Sequence, residues 1–240
     1  MISLICVYNN KKVLDSCLLY SYNKQEKNNT ELILVDNSKN KYKNAIEALE
    51  YGVQQSKGEY YIFIHQDITF EDKNVLKNME YQIKSIKDFG IIGVAGYKNK
   101  QIISNIIHGQ NKEYAGTLSL DVPVACDSVD ECLFIIKKSV YDKYKFDKDI
   151  IDGWHLYAVE FCLNMRKNNL PVLVIPCNLY HNSNGSSFDK SYYKYLRRLA
   201  RKYRKNFKVI GTTVGVWYTN PFLLEIKILI RKIKIKLNII

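Results

Sequence analysis

Residues 60–67 read YYIFIHQD, an apolar run that ends abruptly in polar residues. Five apolar residues are too few for a helix, and they do not alternate with polar ones, so they are predicted to form a strand buried on both faces. The same pattern occurs twice upstream. Residues 2–9 (ISLICVYN) and residues 31–36 (ELILVD) are also short apolar runs that stop at polar side chains. These three stretches indicate the core of a sheet.

Segments with helical spacing separate these strands. Residues 12–22, 42–55 and 73–87 each place apolar side chains three or four positions apart, and a fourth strand is predicted at residues 91–95. We expect Gly58 to end the second helix in a left-handed cap. Alternating strands and helices predict βαβ units, so the expected fold is α/β, with a Rossmann-like, mostly parallel central sheet flanked by helices.

The second half of the chain is less regular. Residues 97–130 are interpreted as loops and short strands, because short apolar pieces alternate there with Gly, Asn and Asp. The remaining expected elements are strands at 132–136 and 172–175, a helix at 154–166, and basic helices at 189–206 and 222–237. We therefore expect one domain over residues 1–187 and a basic helical extension over residues 188–240.

The net charge of +12 over 240 residues favours a polyanionic partner. The excess of Lys and Arg lies mainly in residues 190–240. Six cysteines without a CxxC pair argue against a zinc site, and residues 1–10 lack the features of a signal peptide. No apolar run reaches the length of a membrane-spanning helix. The expectation is a cytoplasmic protein with reduced thiols.

The basic C-terminal region has three interpretations. Residues 222–237 carry an apolar stripe with Lys and Arg largely off it, which is typical of a helix on an anionic membrane surface. The alternative is a helix packed against the domain or against the partner in a homodimer, and both remain open. Basic and aromatic residues interleave at 197–208, as in nucleic-acid-binding proteins. A charged run is more often a solvated face, so nucleic acid is not the expected partner.

The polar residues at the strand ends predict a ligand site. In open α/β sheets, ligands bind outside the carboxyl ends of the strands, where Tyr8-Asn9, Asp36 and residues 65–67 would lie. Asp36 is interpreted either as a helix cap or as an acceptor for a nucleotide base or ribose. Asp67 suits a hard cation, and its meeting with the distant His181 would support a metal site. Each of these residues also has an ordinary structural interpretation.

Two further carboxylates precede or belong to the helix predicted at 154–166. Asp152 is interpreted as the cap of that helix, and Glu160 as a surface residue or a partly buried base with a raised pKa. The sequence lacks G-x-G-x-x-G and P-loop motifs. Diphosphate binding would therefore have to use a metal ion rather than a glycine-rich cradle.

Taken in order, these segments resemble the glycosyltransferase family 2 superfamily, which has the GT-A fold. The resemblance covers residues 1–187 and is carried by the segments ISLICVYNN, LILVDNS, SKGEYYIFIHQD, VDECLFIIKK, DGWHLYAVEFCLNMR and LYHNSNGSS. It is closest to a glycosyltransferase-like subgroup in which His-Gln-Asp replaces Asp-x-Asp. Each motif is weak alone, but six in the right order are fairly specific.

The resemblance implies a metal-dependent transfer of sugar from a nucleotide-sugar donor, expected to be a UDP-sugar, to a hydroxyl of a glycan or lipid-linked glycan. It implies one displacement with inversion. The implied nucleotide-binding residues are Tyr8, Asn9, Asp36 and His65. Asp67 and His181 would hold Mn²⁺ or Mg²⁺. Glu160 would be the catalytic base, with Asp152 as the alternative, and the sugar or acceptor would meet Asp130, Glu131, Trp154 and His155.

Two departures from the family pattern matter. His65 stands where the first Asp of Asp-x-Asp is expected, and Val159-Glu160 replaces the usual Glu-Asp pair. The first departure motivates an alternative, a catalytically degenerate nucleotide-sugar-binding protein of the same fold. The expected location is cytoplasmic, peripheral on the inner face of the membrane.

Overall fold

The computed structural model describes residues 1–26, 29–117, 119–183 and 191–237. Its strands are β1 (Ile2–Tyr8), β2 (Thr30–Asp36), β3 (Tyr60–Ile64), β4 (Ile68–Phe70), β5 (Ile91–Gly93), β6 (Ala95–Lys98), β7 (Gln101–Ser104), β8 (Ile107–His108), β9 (Glu113–Tyr114), β10 (Val124–Ala125), β11 (Ser128–Val129), β12 (Leu133–Lys137), β13 (Val172–Val174), β14 (Leu179–His181), β15 (Val209–Thr212) and β16 (Gly215–Tyr218).

The helices are α1 (Lys11–Leu14), α2 (Tyr20–Tyr22), α3 (Ala45–Gln55), α4 (Val75–Ser85), α5 (Lys138–Tyr144), α6 (Tyr157–Lys167), α7 (Ser191–Tyr203) and α8 (Pro221–Lys236). A π-helical segment, Asp15–Leu19, joins α1 to α2. Each helix expected from sequence spacing is present within these residues. The start predicted for the first basic helix, at residue 189, lies outside the described residues. Helix α5 was not predicted.

A seven-stranded sheet in the order β10-β13-β5-β12-β3-β1-β2 forms the centre. Strand β1 pairs in parallel with β2 and β3, and β13 pairs in parallel with β5. Strand β12 is antiparallel to both of its neighbours, and β10 is antiparallel to β13 at one edge. Five strands therefore point the same way, which confirms the predicted α/β class with a mostly parallel sheet.

Helices cover both faces of this sheet. On β3, Tyr61 and Phe63 belong to one apolar cluster, and Ile62 and Ile64 belong to the other. The first cluster includes side chains of α3, α6 and α7, and the second includes side chains of α1, α2 and α4. Because successive side chains of a strand point to opposite faces, a strand covered on both sides must be apolar throughout. This explains the uninterrupted run YYIFI.

The C-terminal region is part of the same core rather than an appended helical extension. Helix α7 buries Tyr192, Leu196 and Tyr203 in the first apolar cluster. An unpredicted hairpin, β15–β16, adds Ile210 and Trp217 to it. The predicted boundary between residues 187 and 188 itself lies outside the described residues.

Gly58 does not form the left-handed cap expected from the sequence. Helix α3 ends at Ser56, which is extended, and Gly58 does not have a positive φ. A Cβ at Gly58 would lie 2.5 Å from Ser3 Oγ and 2.7 Å from Ser3 N. The glycine is therefore explained by its close approach to the start of β1.

All six cysteines are free and buried. Burial raises the pKa of the Cys162 and Cys177 thiols to about 12. These cysteines therefore serve as small apolar core residues, as expected from the sequence. Among the helices in the described ranges, none combines the length and the apolar character needed to cross a bilayer.

Candidate active site

A cavity of about 1140 Å³ opens at the carboxyl ends of β1 and β3. Most of the residues selected from the sequence line it: Tyr8, Asn9, His65, Asp67, Asp130, Glu131, Trp154, His155 and His181. The turn after β2 contributes Asn37 and Asn40, and the turn of the β15–β16 hairpin contributes Thr213 and Val214. Asp36, Asp152 and Glu160 are not part of the wall. The strand ends thus meet at one hollow, as the parallel topology requires.

Gln66 joins the turn after β3 to the turn after β1. Its Oε1 accepts hydrogen bonds from the backbone N–H groups of Asn9 and Asn10, at 3.1 and 3.0 Å, and its Nε2 donates to Asn9 Oδ1 at 2.8 Å. Sequence analysis assigned Gln66 no role. Its position between His65 and Asp67 was the only signal available, because its partners lie 56 and 57 residues away in the chain.

Asp36 lies beside the cavity rather than in its wall. It pairs with Tyr8 in the parallel register of β1 and β2. Its Oδ1 accepts a hydrogen bond from Ser38 N at 2.8 Å, which closes a local turn and lowers the pKa of the carboxyl. Asp36 is not the cap of the following helix, because Asn44 caps α3 by accepting a hydrogen bond from Glu47 N. The exposed carboxylate of Asp36 stays ionised beside the cavity, and its contact with a nucleotide stays a prediction.

His65, Asp67 and His181 come together at one end of the cavity. Their potential ligand atoms all lie within 4.8 Å of one another, and His181 Nε2 is 3.3 Å from Asp67 Oδ1. The antiparallel pairing of β14 with β4 places His181 opposite Ile68, and Asn182 N donates to Asp67 O at 2.9 Å. The meeting of Asp67 with His181, expected from the sequence as a metal pair, is therefore present.

His65 is the third member of this cluster, although the sequence suggested only a nucleotide contact for it. The His65 and His181 rings are 5.8 Å apart, centroid to centroid. Burial lowers the pKa of His65, which keeps the ring neutral with a lone pair available. Burial opposes ionisation of Asp67, but the hydrogen bond with His181 and the charge of His181 lower its pKa overall.

Two imidazoles and a carboxylate fit a divalent transition metal. Such a metal needs deprotonated ligands, and imidazole nitrogen is a donor that Mn²⁺ accepts more readily than Mg²⁺, which prefers oxygen. All three residues are partly buried, yet they line the cavity where a ligand could complete the coordination. The donor set therefore fits the Mn²⁺ alternative of the sequence expectation better than the Mg²⁺ alternative.

Asp130 and Glu131 form an acidic wall before β12. Asp130 Oδ2 accepts a hydrogen bond from Thr213 Oγ1 at 2.5 Å, and Oδ1 accepts one from Cys132 N at 3.0 Å. Burial opposes ionisation of Asp130, but the hydrogen bond from Thr213 and the nearby histidines lower its pKa overall. Asp130 is thus a fixed, ionised acceptor of hydrogen bonds at the cavity.

Glu131 lies beside this charge and behaves differently. Burial and the neighbouring charge of Asp130 raise the pKa of Glu131 to about 8. Its Oε1 accepts a hydrogen bond from Ala158 N at 3.3 Å, at the start of α6. Leu156, which precedes α6, has φ 68°, a left-handed conformation that is unfavourable for a branched side chain. Two neighbouring carboxyls with pKa values pushed apart are typical of acid–base sites.

Trp154 and His155 line the cavity from the segment before α6. The indole of Trp154 is 41% exposed, so it offers an aromatic face to a ligand. The His155 ring packs edge-on against Tyr192, with 6.1 Å between centroids. Both positions agree with the sugar or acceptor contact implied by the sequence resemblance.

Glu160 does not reach the cavity, so the structure does not support it as the catalytic base. Its side chain is only 1% exposed, and its Oε1 accepts hydrogen bonds from Lys202 Nζ and Tyr203 Oη of α7, both at 2.6 Å. Val159 lines the cavity instead. Because consecutive residues of a helix point about 100° apart, Glu160 faces α7 when Val159 faces the cavity.

Asp152, the alternative base, also lies away from the cavity. Its carboxylate pairs with Lys194 Nζ at 2.9 Å and Arg198 Nη1 at 3.1 Å, both on α7. The bond from Lys194 contributes most to lowering its pKa to about 2, so it is a weak base. Asp152 is not the cap of α6 either, because that helix begins after Leu156 without a side-chain cap.

We expect Glu160→Ala to lower the free energy of unfolding by about 2 to 4 kcal/mol, because it removes the acceptor of the buried Tyr203 hydroxyl and leaves Lys202 with Asp147 alone. Glu160→Gln, which retains the shape and one acceptor, should cost less. Urea unfolding measures both. Asp142→Ala is the matched control, since Asp142 of α5 pairs with Lys145, both side chains are about half exposed, and the change should alter stability by less than about 1 kcal/mol. If a folded Glu160→Gln protein lost its transfer activity, Glu160 would again be the candidate catalytic base.

Comparisons with known proteins agree with this geometry. The family model described as "Glycosyltransferase like family" matches residues 3–203. A search of curated proteins found no significant sequence match. Among solved structures, GalNAc-T7 with UDP, GalNAc and Mn²⁺ is similar at 13% identity and a TM-score of 0.61, over 83% of this chain and 47% of that one.

Two other enzymes share the fold. S. aureus TarS, residues 1–349, in complex with UDP-GlcNAc has 16% identity and a TM-score of 0.55, over 83% of this chain and 65% of that one. The mannosyltransferase PcManGT from Pyrobaculum calidifontis, in complex with GDP-Man and Mn²⁺, has 12% identity and a TM-score of 0.58. The match covers 86% of this chain and 65% of that one. The aligned part is between about half and two thirds of each of these proteins. At such low identity the likeness shows the fold.

The family match covers most of the chain, and the fold is that of GT-A enzymes. The chain therefore belongs to the glycosyltransferase-like family.

Proposed function

We propose that this protein transfers a sugar from a nucleotide-sugar donor, a UDP-sugar in the first instance, to a hydroxyl of a glycan or lipid-linked glycan acceptor. The observation that carries this proposal is the meeting of His65, Asp67 and His181 at the strand ends of one cavity. A diphosphate needs positive charge near it, and the chain has no glycine-rich phosphate loop.

On the donor side, Tyr8, Asn9 and Asp36 would contact the nucleotide. The Gln66 side chain fixes the turn that carries Asn9, so this part of the wall is ordered before the donor binds. His65, Asp67 and His181 would hold a divalent cation. When bound, this cation would neutralise charge on the donor's diphosphate and on the departing nucleoside diphosphate.

On the acceptor side, Trp154 and His155 would position the sugar or acceptor, and Asp130 would accept hydrogen bonds from it. Glu131 takes the role of base that the sequence resemblance gave to Glu160. In one displacement, the acceptor oxygen bonds to the anomeric carbon while the bond from that carbon to the diphosphate oxygen breaks. Glu131 receives the hydroxyl proton, and the configuration at the anomeric carbon inverts.

The test of this function is a screen of UDP-, GDP- and dTDP-sugars by calorimetry and by nucleoside diphosphate release, with and without Mn²⁺. We expect Mn²⁺-dependent binding of one donor class and slow release that an acceptor accelerates. Tight donor binding without release or transfer, across glycan and lipid-linked acceptors, would favour the degenerate binding protein. That alternative is motivated by His65 in place of a carboxylate.

We expect the metal preference to follow the donor set. Two imidazoles among three ligands should make Mn²⁺ support transfer at least about tenfold better than Mg²⁺ at equal concentration, since Mg²⁺ favours all-oxygen sites. Titration of the chelated protein with each ion, followed by donor binding and by transfer, measures this. Equal support by both ions would contradict the assignment of both histidines as ligands.

A further inference from the structure

Helix α8 has two apolar faces, and only one of them is used by the domain. Leu224 and Ile228 are buried against the core, and Arg231 Nη1 donates to Val214 O at 2.9 Å. These three residues are spaced four and three apart, so they form one stripe along the helix. The alternatives left open by the sequence are thus partly resolved, because the domain does bind this helix.

The opposite face of α8 is apolar and exposed. It carries Phe222, Ile226, Leu229, Ile230, Ile233 and Leu237, of which Phe222 is 73%, Leu229 59% and Leu237 62% exposed. Ile226 lies about 200° around the helix from the buried Leu224. We call these six residues the outer face. Contiguous exposed apolar side chains of this number mark an interaction surface rather than ordinary surface variation.

Basic residues flank the outer face on both sides. Lys227 and Lys234 lie along one border, and Lys232 and Lys236 along the other, and all four are exposed. The acidic residue of the helix, Glu225, is paired with Arg197 of α7 through two short hydrogen bonds. The borders of the outer face therefore carry net positive charge.

We propose that the outer face docks on the surface of an anionic lipid bilayer. An apolar stripe between two rows of lysines lies in the interface with its side chains among the acyl chains and its lysines near the headgroups. A second copy of the chain fits less well, because pairing two outer faces would bring the lysine rows of both copies together. The net charge of +12 acts in the same direction.

The buried stripe of α8, on the side opposite the outer face, contacts the cavity wall. Val214, whose carbonyl receives the Arg231 hydrogen bond, lines the cavity wall next to Thr213, the partner of Asp130. A bilayer on the outer face would thus lie one helix diameter, roughly 10 Å, from the part of the wall formed by Thr213 and Val214. The docking inference rests on the proposed function, and it assigns the acceptor to the lipid-linked class.

Sedimentation of the full chain with lipid vesicles tests the docking without any enzymatic readout. We expect binding to vesicles of phosphatidylcholine mixed with phosphatidylglycerol and little binding to phosphatidylcholine alone. Ile226→Ser with Ile233→Ser should weaken binding about tenfold or more, because two side chains leave the acyl region. Tyr81→Ser on α4, a 77% exposed position far from α8 in the chain, is the matched control and should bind normally.

The charge requirement is tested separately. Lys227→Gln with Lys234→Gln should weaken binding roughly 20- to 30-fold, from about 1 kcal/mol per lysine near an anionic surface. Lys138→Gln with Lys143→Gln on α5 removes the same charge elsewhere and should have much less effect. Absence of vesicle binding, or a dimer in light scattering that the two Ile→Ser changes dissolve, would overturn the docking. Either result would leave donor binding by the cavity intact and so be distinguishable from failure of the proposed function.

Discussion

Asp67→Ala is expected to lower kcat/KM for sugar transfer by about a thousandfold or more. The change removes the carboxylate of the three-residue cluster and leaves two imidazoles, which bind Mn²⁺ weakly and cannot balance its charge. Loss of charge stabilisation at the leaving group is among the largest single effects in catalysis. The change should also abolish Mn²⁺-dependent donor binding, which calorimetry measures independently of turnover.

The control is Asp121→Ala, at an exposed position outside the cavity wall. It should leave donor binding and transfer unchanged. Asp67→Asn keeps the shape of the side chain and an acceptor for His181, so it separates folding from metal binding. A folded Asp67→Asn or Asp67→Ala protein with full activity would show that the cluster does not hold the catalytic metal.

Glu131→Gln is expected to reduce kcat by about a hundred- to ten-thousandfold, the usual contribution of a general base. The amide keeps the size of the side chain and its acceptor for Ala158 N, but it cannot take a proton. Donor binding should be retained, because Glu131 is assigned to the acceptor side. Glu113→Gln, a carboxyl in the same cavity wall, is the matched control. Near-normal kcat in Glu131→Gln would exclude this residue as the base.

The pH profile gives a second readout for Glu131. With its pKa raised to about 8, the carboxyl is largely protonated at neutral pH, so kcat/KM should rise with pH until about 8. The folded state holds this proton more tightly than the unfolded state, so the Glu131 contribution to stability should fall as pH increases from the ordinary value of 4.5 to about 8. Both trends should weaken in Glu131→Gln.

The sheet and the position of His65 and Asp67 at its edge could be predicted from local patterns. The run YYIFI predicts a strand covered on both faces. Parallel strands bring their carboxyl ends together, so His65 and Asp67 were expected at that edge of the sheet. His181 followed from its position after the last core strand. Helix α6 was also predicted, but its start was placed at Trp154 although it begins at Tyr157.

Neither candidate base chosen from the sequence, Glu160 or Asp152, lines the cavity. Helix α6 begins after the left-handed Leu156, and Val159 rather than Glu160 lines the cavity. The partners of Glu160 and Asp152 come from α7, more than 40 residues later. Long-range ion pairs of this kind leave no local signal. The pKa of Glu131 likewise depends on burial and on Asp130, which only the assembled wall provides.

Gln66 has a consequence for changing the donor preference of this protein. One amide holds the backbone of the turn at Asn9-Asn10, so the two turns cannot be exchanged independently in a chimera. A graft of either turn alone from another family member would leave the Gln66 amide, or the N–H groups of Asn9 and Asn10, without their hydrogen-bond partners. Exchange of both turns together preserves the hydrogen bonds between them and is the smaller perturbation.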